Sequence, residues 1–107
     1  MPLPPPDSTD RLIVQIDRDF EDIAHIFLAN RHKDVQTLRR ALAEGDFVTI
    51  QMLGHRMKGD GGGYGFHQIS EIGAVMEQAA EQQDIPASGQ QLAQLEEFLA
   101  RVEVVYV

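Results

Sequence analysis

Residues 17–46, DRDFEDIAHIFLANRHKDVQTLRRALAEGD, indicate an all-α fold. Apolar side chains recur along this stretch at the three-and-four spacing of one buried helical stripe. They are Phe20, Ile23, Ile26, Phe27, Val35, Leu38, Ala41 and Leu42. Asp17 is placed to act as an N-cap, Gly45 supplies a left-handed stop, and Asp46 can cap a second helix. The polar residues 30–34 leave open whether residues 17–44 form one helix or two.

The rest of the chain predicts three more helices, over residues 47–60, 66–83 and 87–105. They are separated by the glycines between positions 61 and 65 and by the segment QQDIPASG. The last helix has the a/d spacing of a seam packed antiparallel to its neighbours: Leu92, Leu95, Leu99, Val102 and Tyr106. Four helices joined by short loops predict an up-and-down antiparallel four-helix bundle over residues 17–107.

Residues 1–16 are predicted to form an extended N-terminal segment. Four of the five prolines fall within the first ten residues, and proline is excluded from helix interiors. Residues 11–16, RLIVQI, are rich in β-branched side chains, but no second run is identified as a partner strand. We therefore expect them to be extended or irregular and to lie across the core.

Length and charge exclude several classes of protein. A chain of 107 residues is expected to form one compact domain, and its net charge of -8 argues against nucleic acid and anionic membranes as partners. The absence of cysteine excludes disulfides and thiolate metal sites. No apolar stretch approaches the roughly 20 residues of a membrane span. The start MPLPPPDSTD lacks the blocks of a secretory signal, so a cytoplasmic location is expected.

Residues 55–66, HRMKGDGGGYGF, carry the chemistry of this sequence. Positions three and four apart are neighbours on a helix, so Lys58 can place its ammonium beside the His55 imidazole. Gly59 leaves the adjoining patch without a side chain. A neutral imidazole is a nucleophile, and the lysine can counter the charge of phosphoryl oxygens. This arrangement favours phosphoryl transfer.

The same segment resembles the histidine-containing phosphotransfer (HPt) domain. That family's motif is His, two residues, Lys-Gly, five residues, then Gly, and His55, Lys58, Gly59 and Gly65 occupy these positions. The third helix is similar to the family's apolar stripe and its Leu-Glu step, through Ile69, Ile72, Met76 and Glu77. The resemblance covers most of residues 17–84. It departs from the family at Asp60, where a small neutral residue or Ser is common, and at Met76, where Leu is common.

The resemblance implies a role for each motif residue. His55 would be the phospho-acceptor on its outer ring nitrogen, Lys58 would steady the phosphoryl group, and Gly59 would give clearance. The partners would be response-regulator receiver domains and a hybrid sensor kinase. The chain would be a monomer without a cofactor, because any Mg²⁺ would be held by the receiver. It would be a relay without autokinase activity.

A docking surface is predicted on the exposed side of the second helix, around His55. Besides the motif residues it comprises Gln51, Met52, Arg56 and Gly62. Two alternatives remain open at this point. A helical adaptor or dimerisation module would use the seam of the last helix and leave His55 incidental. A bundle metalloprotein or haem protein would need residues such as His25, His32 and His55 to converge in the interior, whereas we expect His25, His32 and His67 at the surface.

Overall fold

The apolar stripes form four α-helices in the computed structural model, which describes residues 11–107. These helices are α1 (Glu21–Glu44), α2 (Phe47–Gly63), α3 (His67–Glu81) and α4 (Ile85–Arg101). Each helix packs against the next, and α1 also packs against α4, so the four helices close into an up-and-down bundle. The predicted all-α four-helix bundle is confirmed. The extended structure predicted for residues 1–10 lies outside the described residues.

The bundle core is built mostly from the predicted stripes of the four helices. Phe20, Ile23 and Ile26, which were predicted to lie on the buried stripe of the first helix, are instead exposed. Phe27 of α1 stacks on Phe66 with ring centroids 5.2 Å apart. Burying an apolar side chain of this size contributes about 1.5–3 kcal/mol. The largest fully buried apolar side chains are Leu38, Ile50, Met57, Phe66, Ile69, Met76 and Leu95. Because Leu53, Gly54 and Met57 face this core, His55 between them faces solvent.

The ends of α1 follow mostly from the predicted capping residues. Gly45 adopts the left-handed conformation (φ 68°) and ends α1, and the Asp46 carboxylate accepts the Thr49 N–H at 3.1 Å to cap α2. Both predictions are confirmed, and α1 is one helix of 24 residues. The carboxylate of Asp17 instead caps a short 3₁₀ turn, Arg18–Phe20, so α1 begins four residues later than predicted.

Helix α2 is longer than predicted. It was expected to end at residue 60, before Gly61, but it continues to Gly63. Gly61 is buried against the start of α3, where a Cβ atom would lie only 2.6 Å from the Ser70 backbone nitrogen. This close packing holds the glycines in a helix that their intrinsic propensity disfavours. The chain turns at Gly65, which has φ 89°.

The termini of the described region form a small parallel sheet that the sequence analysis does not predict. Strand β1 (Leu12–Ile16) pairs with β2 (Val102–Tyr106), with Leu12 opposite Val102 and Ile16 opposite Tyr106. The prediction that residues 11–16 lack a partner strand is therefore wrong, as is the extension of the fourth helix to residue 105. The β-branched run from Val102 onward fits a pleated, half-buried surface better than a helix.

Candidate functional site

The candidate site lies on the outer face of α2, at the middle of the helix. Its central residue is His55, whose side chain is 74% exposed. Lys58 follows one turn later and is also exposed, at 53%. The structure thus brings the two predicted residues together on one solvent-facing surface.

Glu77 of α3 joins these two side chains. Its Oε2 lies 2.7 Å from His55 Nδ1, and its Oε1 accepts a hydrogen bond from Lys58 Nζ at 3.4 Å. An ionised carboxylate can only accept, so Nδ1 must carry the proton of this contact. In a neutral imidazole the other nitrogen, Nε2, then has a free lone pair. The Glu77 side chain is 15% exposed, so a partly buried carboxylate orients an exposed imidazole.

The electrostatics of the site keep Glu77 ionised. Burial acts to raise the pKa of its carboxyl, but hydrogen bonds from His55 and Lys58 and attraction to both residues outweigh burial. The net result is a pKa below the ordinary value of 4.5. Glu77 is therefore a carboxylate at neutral pH, as the assignment of the Nδ1 proton requires.

The depressed pKa of Glu77 predicts an acid-dependent loss of stability. A carboxyl with a lowered folded-state pKa stabilises the fold fully above its unfolded pKa, and this is lost as pH falls through the folded-state value. We expect the difference in free energy of unfolding between the protein and Glu77→Gln to decline as the pH falls below 4.5. Urea denaturation across this range measures it, and a difference that does not decline in acid contradicts the prediction.

Gly59 lies one turn beyond His55 and leaves an open surface beside it. A Cβ atom built at Gly59 would meet no other atom within 4 Å. A side chain at this position would therefore extend into open space on the face that carries His55. The clearance assigned to Gly59 in the sequence analysis stays a prediction.

The predicted docking residues do not all face the same neighbour. Gln51 faces α3, where its side-chain amide donates to Glu81 at 3.3 Å. The positive charge of Arg56 acts instead on Asp34 of α1. Met52 is half exposed, and Gly62 is partly covered, with Ser70 Oγ 3.9 Å from a Cβ built on it. The surface around His55 therefore reaches toward both flanking helices.

Two features of this surface were not predicted from the sequence. Glu77 is part of the family resemblance, but its contact with His55 was not predicted. Val48, which is 79% exposed one turn before Met52, was not identified as part of the surface. A signal for Glu77 does exist, because His55 and Glu77 are each eleven residues from Phe66. Residues equidistant from the turn of an antiparallel helix pair lie opposite each other.

The other histidines stand apart from this site. His25, His32 and His67 are exposed, as predicted. Within residues 11–107, no group of three or more His, Cys, Asp or Glu side chains is placed to hold a metal ion. The interior convergence that a bundle metalloprotein requires is thus not found in this part of the chain. None of the helices described is long and apolar enough to cross a membrane.

An exposed histidine on a helical bundle, oriented by a carboxylate and flanked by a lysine and a bare glycine, is the arrangement of a phosphotransfer module. The Hpt domain family model matches residues 22–104, and the chain belongs to the Hpt domain family. Hpt domains are phosphotransfer intermediates without kinase activity, and they act with receiver domains in phosphorelays. The searches of curated proteins and of solved structures found no match.

Proposed function

We propose that this chain is a phosphorelay intermediate in which His55 accepts a phosphoryl group from a receiver-domain aspartate and passes it to another receiver. The observation that carries the proposal is the 2.7 Å contact between His55 Nδ1 and Glu77. In the neutral ring, this contact leaves Nε2 unprotonated and directed away from Glu77. No base is needed to remove a proton before this nitrogen attacks.

The transfer step involves one bond made and one bond broken. His55 Nε2 forms a bond to phosphorus as the bond between phosphorus and the aspartyl oxygen breaks, and the aspartate leaves as a carboxylate. The imidazole then carries a positive charge that it shares with Nδ1–H, and the Glu77 carboxylate stabilises that charge. Transfer to the next receiver is the reverse of this step on a second aspartate.

Lys58 would balance the charge on the phosphoryl group. Its ammonium holds Glu77 only loosely, at 3.4 Å, and is half exposed, so it can turn toward phosphoryl oxygens on Nε2. The chain would need no cofactor of its own, since any Mg²⁺ would be held by the receiver. This division of roles is consistent with a site whose ionisable side chains are His55, Lys58 and Glu77.

We expect Lys58→Ala to slow phosphoryl transfer about tenfold to a hundredfold while the fold stays intact. Loss of a charge-assisted contact costs on the order of 1.5–3 kcal/mol if the contact persists in the transition state. The measurement is the rate of label uptake from a phosphorylated receiver, with circular dichroism to check folding. Lys58→Arg keeps the charge and should retain more of the rate. An unchanged rate in folded Lys58→Ala would show that the lysine is only a solvated surface residue.

The docking surface would be the exposed face of α2 around His55. Val48 and Met52 supply exposed apolar area one to two turns before His55, and Gln51, Arg56 and Gly62 complete the face. Signalling encounters of this kind bury little area and are transient. The proposal also includes a hybrid sensor kinase as donor, a monomeric state and a cytoplasmic location. The net charge of -8 argues against nucleic acid and membrane partners.

The adaptor alternative is less well supported. It would use the seam of the last helix, but Leu92, Leu95 and Leu99 are buried in the bundle core. These leucines are therefore already occupied by α4's own neighbours and leave no apolar seam for another chain.

The proposed function is tested by mixing the protein with receiver domains charged by labelled acetyl phosphate. We expect an acid-labile label on the chain, because phosphohistidine hydrolyses in acid. As a control, the same charged receivers are mixed with a known phosphotransfer domain. If they label that domain but none of them labels this chain, the proposal is contradicted.

A further inference from the structure

Helices α2 and α3 come into close backbone contact at two glycines, Gly54 and Gly73. A Cβ atom built on Gly73 would lie 2.6 Å from the Gly54 carbonyl oxygen, and one built on Gly54 would lie 2.9 Å from the Gly73 carbonyl oxygen. Both distances are shorter than real Cβ contacts. The two backbones therefore touch only because neither residue has a side chain.

Other atoms at this contact belong to Glu77 and Lys58 of the site and to Met57 of the core, whose Cβ would lie 2.8 Å from one built on Gly73. The Cβ on Gly54 would lie 2.8 Å from the Glu77 backbone nitrogen, and the Cβ on Gly73 would lie 2.5 Å from the Lys58 backbone nitrogen. Gly54 immediately precedes His55 in the chain. The glycine contact thus lies directly beneath the side chains of His55, Lys58 and Glu77.

A hydrogen bond reinforces the same helix pair one turn away. Ser70 Oγ donates to the Lys58 carbonyl oxygen at 2.6 Å. This carbonyl lies within α2, so the bond ties the backbone that carries Lys58 to the first turns of α3. Together with the two glycines it holds α2 and α3 at one separation.

We propose that Gly54 and Gly73 are positioning residues, whose lack of side chains sets the helix separation at which Glu77 reaches His55 Nδ1. The two glycines act through Glu77 and do not touch the phosphoryl group. The effect on transfer rests on the proposed function of His55. The effect on the proton of the imidazole does not, because it depends only on the contact with Glu77.

The distances indicate how sensitive the contact is. A Cβ on Gly73 would lie nearest to the Lys58 backbone nitrogen, at 2.5 Å, so bringing it to an ordinary contact of 3.4 Å requires the helices to separate by about 0.9 Å. With both side chains in their present conformations, a displacement of that size along the contact would lengthen the 2.7 Å distance between Nδ1 and Glu77 to about 3.6 Å. This exceeds the usual limit of about 3.2 Å for a hydrogen bond from nitrogen to oxygen. The imidazole would then lose the partner that places its proton.

The first test compares Gly73→Ala with the protein itself by nitrogen NMR of His55 at neutral pH. We expect the fraction of neutral rings protonated on Nδ1 to fall toward its value in Glu77→Ala. Gly89→Ala is the matched control, because a Cβ on Gly89 in α4 meets nothing within 4 Å. It should leave the tautomer unchanged. An unchanged tautomer in folded Gly73→Ala would overturn the proposal, whether or not the chain accepts phosphate.

The second test is a double-mutant cycle on the rate of label uptake. Gly73→Ala should slow transfer about tenfold or more, since a misplacement near 1 Å can cost up to a hundredfold. In the Glu77→Ala background the same substitution should have little further effect. An equal slowing in both backgrounds would show that the glycine is only a packing residue and would overturn the proposal.

If Gly73→Ala does not fold, Gly54→Ala replaces it in both tests. A Cβ on Gly54 would lie 2.8 Å from its nearest atom, against 2.5 Å for one on Gly73, so the helices need to separate less. We expect a smaller shift in the same direction, and no shift in folded Gly54→Ala would contradict the proposal. Absence of label on the unaltered chain would contradict the proposed function alone, since the NMR comparison would still report on positioning.

Discussion

We expect His55→Gln to take up no phosphoryl group from a phosphorylated receiver. Glutamine is similar in size and polar, but its amide nitrogen has no free lone pair, so it cannot attack phosphorus. Because the His55 side chain is 74% exposed and lies outside the core, the substitution should leave the bundle intact. The expected effect is complete loss of acid-labile label, measured after mixing with a charged receiver.

His67→Gln is the matched control for this loss. His67 is also exposed, at the start of α3, but no carboxylate or lysine side chain in the described residues makes a hydrogen bond or ion pair with it. His67→Gln should be labelled like the unaltered chain. Label that persists in His55→Gln would show that another residue accepts the phosphoryl group. Incubation with labelled ATP should label none of these proteins, as expected of a relay without kinase activity.

The helices of this fold were predictable because their signals are local. Gly45 and Asp46 end one helix and begin the next through contacts within four residues, and both are readable from the sequence. The end of α2 was not readable from the sequence, because Gly61 is kept helical by its packing on Ser70 of another helix. A local pattern cannot report a contact of that kind.

The parallel sheet was missed for a related reason. Its strands lie at opposite ends of the described chain, with the whole bundle between Ile16 and Val102. A run of five or six apolar residues fits a strand or one more helical turn, and Val102 and Tyr106 happened to continue the a/d spacing of α4. Only the pairing of Leu12–Ile16 with Val102–Tyr106 shows that both runs are strands.

The candidate site shows the same division between local and distant signals. His55, Lys58 and Gly59 fall within two turns of one helix, so their spacing alone predicts a shared surface. The contact of Glu77 with His55 depends instead on the separation of α2 and α3. That separation is set by Gly54 and Gly73, which carry no pattern that a single sequence displays.

The second large effect is expected at Gly59, where added bulk should block a partner while leaving the fold unharmed. Gly59 faces open space, so a longer side chain has room to extend, and replacing a helical glycine also favours the helix by up to about 1 kcal/mol. We therefore expect Gly59→Glu to be folded and at least as stable as the unaltered chain. The same side chain would occupy the approach to His55 Nε2 and repel the incoming phosphoryl group.

Transfer to Gly59→Glu should accordingly be slower on the order of a hundredfold, because displacing the reacting groups by about 1 Å can cost that much. Gly59→Gln keeps the bulk without the charge, so the ratio of the two rates separates steric obstruction from repulsion. Gly89→Glu makes the same change at an equally open glycine on α4 and should transfer at the unaltered rate. If both Gly59 variants fold and transfer as fast as the unaltered chain, the receiver approaches His55 from another side, and the docking face proposed on α2 is wrong.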